Sequence, residues 1–441
     1  MFKYLFCFSL ILPVLGFSQY QIKGTFSPAN EFKTTMLYQL SAGTTSYVSY
    51  GSVNELGHIT IELDASMSAG IYRLVYALPQ SDHNFEFIYN GKEDVVFNFD
   101  KFKGVEFSNS KENQLFQSYT LSITSAQHKL MQLYAQPVMD SISYRKRVQH
   151  LDSLQQSYET LSEGKIASHF IVASKPYMPN IVETAKSYMV NAKYHYFKGI
   201  NFQDTTLQSS NFIIDKSIDY IFGMHSSETP SFQDYKTNID TVYEAFSITK
   251  PSYQLISLNT LNDILIESQQ EALAVYLTKT YTLPLAIQLN ATELIASLQT
   301  YLRVAIGVKA PNFDIQDSLT KLKTSLYGLN GASMYVLVFW SSDCGHCMKE
   351  LPEIHAYRLN HPKKDIKFIA IGLENTPQQW SEVIKQWPQF THTIAEGKWE
   401  NNIPINYNIQ STPTYFVLDA SKTITSKPYL FEDLKEVLDQ K

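Results

Sequence analysis

The spacing of hydrophobic residues changes twice along this 441-residue chain and divides it into three regions. From Tyr20 to about Asn109, short apolar runs alternate with turn residues, which predicts a series of β-strands. From 110 to about 305, apolar residues recur every three or four positions, which predicts helices. From 306 to the end, patterns of buried strands alternate with helical ones. We therefore expect a multidomain protein with an all-β domain at 20–109, an α-helical region at 110–305 and an α/β domain at 306–441.

The N-terminal region contains several short strand patterns separated by turns. The candidate strands are Ile22–Phe26, Met36–Leu40, Tyr47–Tyr50, His58–Leu63 and Ile71–Tyr76. Two more runs, Phe85–Tyr89 and Val95–Phe99, flank an Asn90-Gly91 pair, which favours a short hairpin. We expect these two runs to pair with each other, although the second starts late enough to suggest a longer loop. No catalytic grouping of side chains is evident in this region.

The central region shows helical spacing but no chemical motif. The helical patterns cover Leu115–Ala135, Tyr144–Leu161, Ile181–Phe197, Leu273–Tyr281 and the run from Leu294 to Leu302. Its histidines have no metal-ligand spacing, and its acidic residues occur singly on polar faces. A scaffold or partner-binding role is the default expectation for these residues.

Candidate chemistry is concentrated in the stretch from Tyr335 to Ile354. An apolar run that predicts a buried strand ends in a polar turn, and a Cys-x-x-Cys then opens a helical pattern. Cys344 is thereby placed at a helix N-terminus, where backbone N–H groups and the helix dipole lower the pKa of a thiol. His346 can add a positive charge nearby. Cys347 follows one helical turn later on a more buried face, close enough to form a disulfide with Cys344, so the pair is suited to redox cycling.

Two segments resemble landmarks of the thioredoxin superfamily. Phe339-Trp340, the tetrad Cys344-Gly345-His346-Cys347 and Pro352 are similar to its active-site segment. Ser411-Thr412-Pro413-Thr414 resembles the Thr-Pro in which a cis-proline faces the dithiol and presents backbone to the substrate chain. The resemblance implies a thioredoxin fold for the C-terminal domain.

The branch of the superfamily is indicated by the entry sequence of this domain. Lys309-Ala310-Pro311-Asn312-Phe313 is similar to the start of the TlpA/ResA-like (AhpC/TSA-related) thiol–disulfide oxidoreductases, which are exported or membrane-tethered. The chain between Val383 and Pro413 is longer than in minimal thioredoxins, and that branch carries an insertion there. The N-terminal region loosely resembles a small β-sandwich domain of unknown function that precedes thioredoxin-like domains in exported bacterial proteins.

The resemblance also implies roles for individual residues. Cys344 would attack and Cys347 would resolve, and Thr412 and Pro413 would orient the substrate chain. Trp340 and His346 would lie on the substrate-binding side of the site, although Trp340 could equally belong to the core. The buried aspartate of minimal thioredoxins is replaced here by Val338. Glu374 then matches a glutamate that handles protons in the TlpA/ResA branch, and a solvated glutamate at a strand end is the alternative.

Charge and cysteine content restrict the partners and the compartment. A formal charge of −6 and a pI near 6.0 argue against nucleic acid as a partner. Residues 1–19 have the pattern of a secretory signal, with Lys3 before the apolar stretch Tyr4–Leu15, and an uncleaved anchor is the alternative. Cleavage would remove Cys7 and leave Cys344 and Cys347 as the only cysteines. We therefore expect a periplasmic or cell-envelope protein whose only redox group is the Cys344–Cys347 disulfide. One Cys-x-x-Cys is a poor zinc site, so no metal is expected.

The expected function is thiol–disulfide exchange with protein thiols and disulfides. The TlpA/ResA branch is mostly reducing, whereas Gly-His between the cysteines is the dipeptide of the more oxidising protein disulfide isomerases. Asp343 opposes the effect of the His346 charge, which favours a reductase or an isomerase, with a membrane electron donor if it is a reductase. The alternative is an envelope partner-binding or scaffold protein with a minor redox role. A peroxidase is disfavoured because the approach to Cys344 lacks the Pro-x-x-x-Thr-type sequence.

Overall fold

The computed structural model of the chain describes residues 20–64, 67–80, 82–136, 140–225, 227 and 229–440. These residues form two compact units, the first ending at Ser257 and the second beginning at Leu258. The secretory signal predicted at 1–19 lies outside the described residues. Throughout the described ranges, no helix combines the length and the apolar character needed to cross a membrane.

The first unit begins with strands that form two four-stranded sheets. The strands are β1 Gln21–Ser27, β2 Thr34–Ser41, β3 Thr44–Ser52, β4 His58–Glu62, β5 Gly70–Val75, β6 Asn84–Tyr89, β7 Val95–Asp100 and β8 Gly104–Phe107. One sheet has the order β4-β1-β7-β8, and the other has the order β3-β2-β5-β6. Side chains from both sheets, including Phe26, Leu37, Tyr72 and Phe97, pack into one shared core. This arrangement confirms the predicted all-β sandwich.

The hairpin predicted at Asn90-Gly91 is wrong. β6 pairs with β5, whereas β7 pairs in parallel with β1, so the connection passes from one sheet to the other. Phe85 of β6 packs on two rings of β7, with centroid distances of 5.0 Å to Phe97 and 5.8 Å to Phe99. Aromatic rings that enter one core from opposite sheets bury most of their apolar surface. The free energy gained by this burial outweighs the local preference of Asn-Gly for a hairpin turn.

The residues that follow the sandwich are helical, as predicted. The helices are α1 Lys111–Tyr134, α2 Ser141–Ser162, α3 Ala167–Ala173, α4 Ala185–His195, α5 Thr205–Gln208, α6 Phe212–Gly223, α7 Phe232–Phe246, α8 Pro251–Glu267, α9 Glu271–Leu277, α10 Leu283–Gln288 and α11 Thr292–Arg303. The division between the two compact units falls inside α8. The helix predicted at Ile181–Phe197 begins later, because the Thr184 side chain accepts a hydrogen bond from the Ser187 N–H and caps α4 at that point.

The second unit contains the C-terminal α/β domain. Its elements are β9 Asp314–Gln316, β10 Lys323–Ser325, β11 Met334–Trp340, α12 Cys347–Asn360, β12 Ile366–Glu374, α13 Pro377–Val383, β13 Thr391–Glu396, α14 Asn402–Asn406, β14 Thr414–Asp419, β15 Ile424–Ser426 and α15 Phe431–Asp439. Five strands form one sheet in the order β13-β12-β11-β14-β15. β11 is parallel to β12 and antiparallel to β14. The predicted α/β architecture is confirmed.

The central strand β11 is buried on both faces. Met334, Val336, Val338 and Trp340 point into one core cluster, and the alternating residues, Tyr335 among them, point into another. A strand covered on both sides shows a continuous apolar run, because successive side chains enter opposite layers. The sheet therefore holds the C-terminal end of β11 rigidly, and the Cys-x-x-Cys turn follows directly from it.

The insertion predicted between Val383 and Pro413 contains β13, a short 3-10 turn at Lys398–Glu400 and α14. β13 extends the sheet in parallel with β12. It also carries a fully buried histidine, His392, whose Nε2 donates to the Trp387 carbonyl at 2.8 Å. Burial lowers the pKa of His392 below its usual value, more strongly than the nearby carboxylate of Asp317 raises it; His355 also lowers it.

We expect the C-terminal domain to lose stability as the pH falls. The lowered pKa of His392 means that the unfolded chain binds a proton that the folded chain does not. The contribution of His392 to the free energy of unfolding is therefore complete above the unfolded pKa of about 6.5. Below that pH it decreases by at most about 1.4 kcal/mol per pH unit. Urea unfolding followed by tryptophan fluorescence reports this domain, because all four tryptophans lie in it. The difference between midpoints at pH 7.5 and pH 5.5 should shrink in His392→Gln, and an unchanged difference would exclude His392 as its source.

Candidate functional site

Cys344 and Cys347 form a disulfide at the start of α12. The two sulfurs differ in access, because Cys344 is partly exposed and Cys347 is completely buried. An incoming sulfur can therefore approach Cys344 but not Cys347. The roles expected from the resemblance, in which Cys344 attacks the substrate and Cys347 resolves, stay a prediction.

The sulfur of Cys344 faces one backbone N–H at the start of α12. α12 begins at Cys347, three residues after the start expected at Cys344. The carbonyl of Cys344 nevertheless accepts the Met348 N–H at 3.1 Å, and its Sγ accepts the Cys347 N–H at 3.2 Å. The N-cap of α12 is His346, and Cys344 lies two residues before it, where the Cys347 N–H and the helix dipole stabilise an anionic sulfur.

Thr412 and Pro413 lie against the disulfide. Thr414, at the start of β14, pairs with Phe339 near the end of β11, which brings the preceding loop to the Cys-x-x-Cys turn. The Thr412–Pro413 bond is cis, as the resemblance implies. The carbonyl oxygen of Thr412 lies 3.3 Å from Cys344 Sγ. A substrate sulfur bonded to Cys344 would therefore have the backbone of this loop beside it.

Glu374 ends β12, the strand next to β11, and only 5% of it is exposed. Its Oε1 accepts the Ser342 N–H at 2.6 Å, and its Oε2 accepts the Ser342 hydroxyl at 3.1 Å. The hydroxyl of Ser341 lies 3.4 Å from Oε1. These contacts join the carboxylate to the turn before Cys344 and not directly to either sulfur. Glu374 is therefore not the solvated strand-end residue considered as the alternative, and its role as a proton acceptor stays a prediction.

Lys398 is a component of the site that the sequence did not reveal. β13 runs parallel to β12, so the turn after Glu396 reaches the sheet edge where β12 and β11 end. Lys398 Nζ lies 2.6 Å from Asp343 Oδ2. This ion pair, together with the hydrogen bond from Ser341, holds the pKa of Asp343 below its usual range. The negative charge beside Cys344 is therefore compensated, which weakens the expectation that Asp343 opposes the effect of His346.

Trp340 and His346 occupy opposite environments. Trp340 is completely buried and packs edge-on against Trp387, with ring centroids 5.4 Å apart. It cannot touch a substrate, which corrects its assignment to the substrate-binding side. The indole fills the core cluster that lies under α12. His346 is exposed at the N-cap of α12, and its place on the substrate-binding side stays a prediction.

Replacing one or the other member of the Asp343–Lys398 pair changes the charge near Cys344 Sγ in opposite directions. In Lys398→Met the Asp343 carboxylate is left uncompensated, so the Cys344 thiolate is disfavoured and its alkylation by iodoacetamide at pH 7 should slow about two- to fivefold. In Asp343→Asn the rate should rise by a similar factor. Lys385→Met is the matched control, because Lys385 forms an exposed pair with Glu382. Rate changes of the same sign in both site variants would contradict this electrostatic effect.

No group of three or more potential metal ligands occurs among the residues that the structure describes. The two cysteines of the described residues, Cys344 and Cys347, are joined in a disulfide.

Comparisons with known proteins find similar sequences for the C-terminal part of the chain. A family model described as thioredoxin-like matches residues 331–424, the segment that carries Cys344, Cys347, Glu374 and Pro413. A thiol-disulfide oxidoreductase ResA of Bacillus cereus is 29% identical over 138 residues, which cover 31% of this chain and 76% of that protein. The sporulation thiol-disulfide oxidoreductase A of Bacillus subtilis (strain 168) is 30% identical over 113 residues, or 24% of this chain and 67% of that protein. A solved domain of a possible thiol-disulfide isomerase from Cytophaga hutchinsonii is 30% identical and covers 31% of this chain and 91% of its own, with a TM-score of 0.27.

Proposed function

The chain belongs to the thioredoxin-like thiol–disulfide oxidoreductases, and from this membership we propose that it is an exported reductase or isomerase of protein disulfides. The observation that carries the proposal is the asymmetric pair: a partly exposed Cys344 beside the Thr412 carbonyl, and a buried Cys347. One sulfur is open to a protein substrate, and the other is available only for the second step.

In the reducing direction, the Cys344 thiolate attacks one sulfur of the partner disulfide and releases the other partner sulfur as a thiolate. The product is a mixed disulfide between Cys344 and the partner. Cys347 then loses its proton and attacks Cys344 Sγ, which releases the second partner thiolate and forms the Cys344–Cys347 disulfide. Two electrons pass from the dithiol to the partner. Isomerisation uses the same first step, after which a different partner thiolate attacks the partner sulfur of the mixed disulfide, forms a new disulfide within the partner and releases the Cys344 thiolate.

The surrounding residues support these steps. The Cys347 N–H that faces Cys344 Sγ stabilises the attacking or leaving thiolate. Glu374 is proposed to receive the Cys347 proton, through a water or through the hydroxyls of Ser341 and Ser342 to which it is joined. Thr412 and Pro413 present backbone to the partner chain, and the exposed His346 lies at the open side of the site.

The proposed location rests on the pattern of residues 1–19, and the proposed electron supply rests on the reducing direction of the exchange. The pattern of residues 1–19 supports export to the periplasm or cell envelope, where a reductase needs electrons from a membrane donor. Recovery of the mature protein from the envelope fraction without residues 1–19 would support export. Retention of the intact chain in the cytoplasm would contradict it.

The direction of electron transfer is tested by the reduction potential of the Cys344–Cys347 pair, measured in defined thiol/disulfide buffers. A reductase or isomerase should have a potential between about −270 mV, as in thioredoxin, and about −180 mV, as in protein disulfide isomerase. A potential near −120 mV, as in DsbA, would indicate a dedicated oxidase and contradict the proposal.

A further inference from the structure

A groove on the second unit lies close to Cys344 and is not part of the dithiol site described above. It has a volume of about 470 Å³, within the range of roughly 300–1,000 Å³ typical of ligand pockets. One wall is formed by Ala296, Ser297 and Thr300 of α11. The other wall comes from the insertion segment between Trp399 and Gln410.

The short chain segment from Gln410 to Thr412 limits the distance between this groove and Cys344 Sγ. Gln410 lines the groove and precedes Thr412 by two residues, a span of at most about 7 Å. The Thr412 carbonyl lies 3.3 Å from Cys344 Sγ. The groove wall therefore begins within roughly 13 Å of the sulfur, once the ~2.4 Å from Thr412 Cα to its carbonyl oxygen is added. At the other end of the segment, Trp399 follows Lys398, which is bonded to Asp343 next to Cys344.

The groove presents apolar surface that the fold leaves uncovered. Trp399 is 47% exposed and Ile405 is 49% exposed, whereas each of the other three tryptophans is at most 2% exposed. Exposed apolar surface next to a reactive group is typical of a binding site, and tryptophan is enriched at binding hot spots. The side chains that line the groove are apolar or neutral polar, with no charged group among them. This chemistry favours an apolar side chain over a charged one.

The wall formed by α11 is held in place by polar contacts within the second unit. Arg303 donates to Asn406 of α14 at 2.8 Å. Tyr301 donates to Glu271 at 3.2 Å, and Glu271 also pairs with Lys427 at 2.9 Å. Side chains on α11 therefore face the insertion segment in a defined position, although α11 precedes the α/β domain in the chain.

We propose that this groove binds the substrate polypeptide beside its reactive cysteine and takes an apolar or aromatic side chain three or four residues from that cysteine. The spacing follows from the distance, because an extended chain advances about 3.3 Å per residue. The inference rests on the proposed disulfide exchange and names the feature of the substrate that the site selects. It also gives α11 of the helical region a part in substrate choice.

The test compares two synthetic peptides, each with one cysteine in a disulfide with 2-mercaptoethanol. One peptide carries phenylalanine three residues on either side of the cysteine, and the other carries serine there. Reduced protein should react with the phenylalanine peptide about tenfold faster. That preference should fall to about twofold or less in Trp399→Ala, and in Ser297→Phe, which fills the groove from α11. Tyr429→Ala is the matched control, since Tyr429 is 72% exposed and does not line the groove.

The small substrate bis(2-hydroxyethyl) disulfide separates this inference from the proposed function. Its rate should be the same in the parent protein and in all three variants, because it is too small to reach the groove from Cys344. Equal rates for the two peptides, or a preference that survives both groove variants, would overturn the groove proposal while leaving the exchange reaction intact. Failure of the parent protein to react with the small disulfide would instead overturn the proposed function, and the groove proposal with it.

Discussion

Cys344→Ser is expected to lower the rate of protein disulfide reduction by at least about a thousandfold. The variant lacks the partly exposed thiol, and a serine hydroxyl is not ionised at neutral pH, so no nucleophile remains for the first step. Cys347 cannot replace it, because its sulfur is completely buried. The rate can be followed on non-reducing gels as loss of the disulfide-bonded form of a protein substrate, with excess dithiol reductant supplying the electrons, after subtraction of the uncatalysed rate.

Cys347→Ser is the matched variant that separates the first attack from the resolving step. Its multiple-turnover rate should also fall, but the first attack by Cys344 should proceed at close to the parent rate in a single turnover. If Cys344→Ser retained a substantial rate, or if both variants lost the first attack equally, the assignment of separate attacking and resolving sulfurs would be wrong.

Trp340→Ala is expected to destabilise the C-terminal domain by about 3–5 kcal/mol, the usual effect of deleting a buried aromatic side chain. Trp340 is fully buried and packs against Trp387, so truncation leaves a cavity beneath α12. A domain with ordinary stability would lose a large part of its free energy of unfolding. Urea unfolding monitored by far-UV circular dichroism, with the parent protein alongside, measures the change.

The conservative variant Trp340→Phe distinguishes a core residue from a substrate-binding one. It should lose less stability than Trp340→Ala, and its rate with bis(2-hydroxyethyl) disulfide and with peptides should match the parent once the folded fraction is equal. Normal stability combined with a raised KM for peptides would restore Trp340 to the substrate-binding side.

The parts of the site that the sequence predicted are local ones. β11 is a continuous apolar run, the turn that follows is polar, and the Cys-x-x-Cys opens α12, so one short stretch specifies the strand, the turn and the position of Cys344. Thr412 and Pro413 were placed by resemblance, and the pairing of β14 with β11 brings them to the sulfur. Glu374 was located in the same way, but its bonds to Ser341 and Ser342 depend on side-chain geometry that no sequence pattern specifies.

The parts that were missed depend on which distant segments meet. The Asn90-Gly91 turn was assigned to a hairpin because turn preferences are local, whereas the partner strands of β6 and β7 are chosen by burial of aromatic rings. Lys398 is 55 residues from Asp343, and a single lysine in an insertion carries no signal of its partner. The groove between α11 and Trp399 likewise joins two segments that look unrelated in sequence.

In the proposed reaction, Cys344 forms the covalent bond to the substrate protein and Cys347 releases it. The most direct test is to mix reduced Cys347→Ser protein, without residues 1–19, with a disulfide-bonded protein and to map the product by mass spectrometry. We expect a stable adduct linked through Cys344, absent when Cys344 is also replaced by serine and released by dithiothreitol. The absence of any such adduct, while the parent protein still reduces the same substrate, would contradict the proposed reaction.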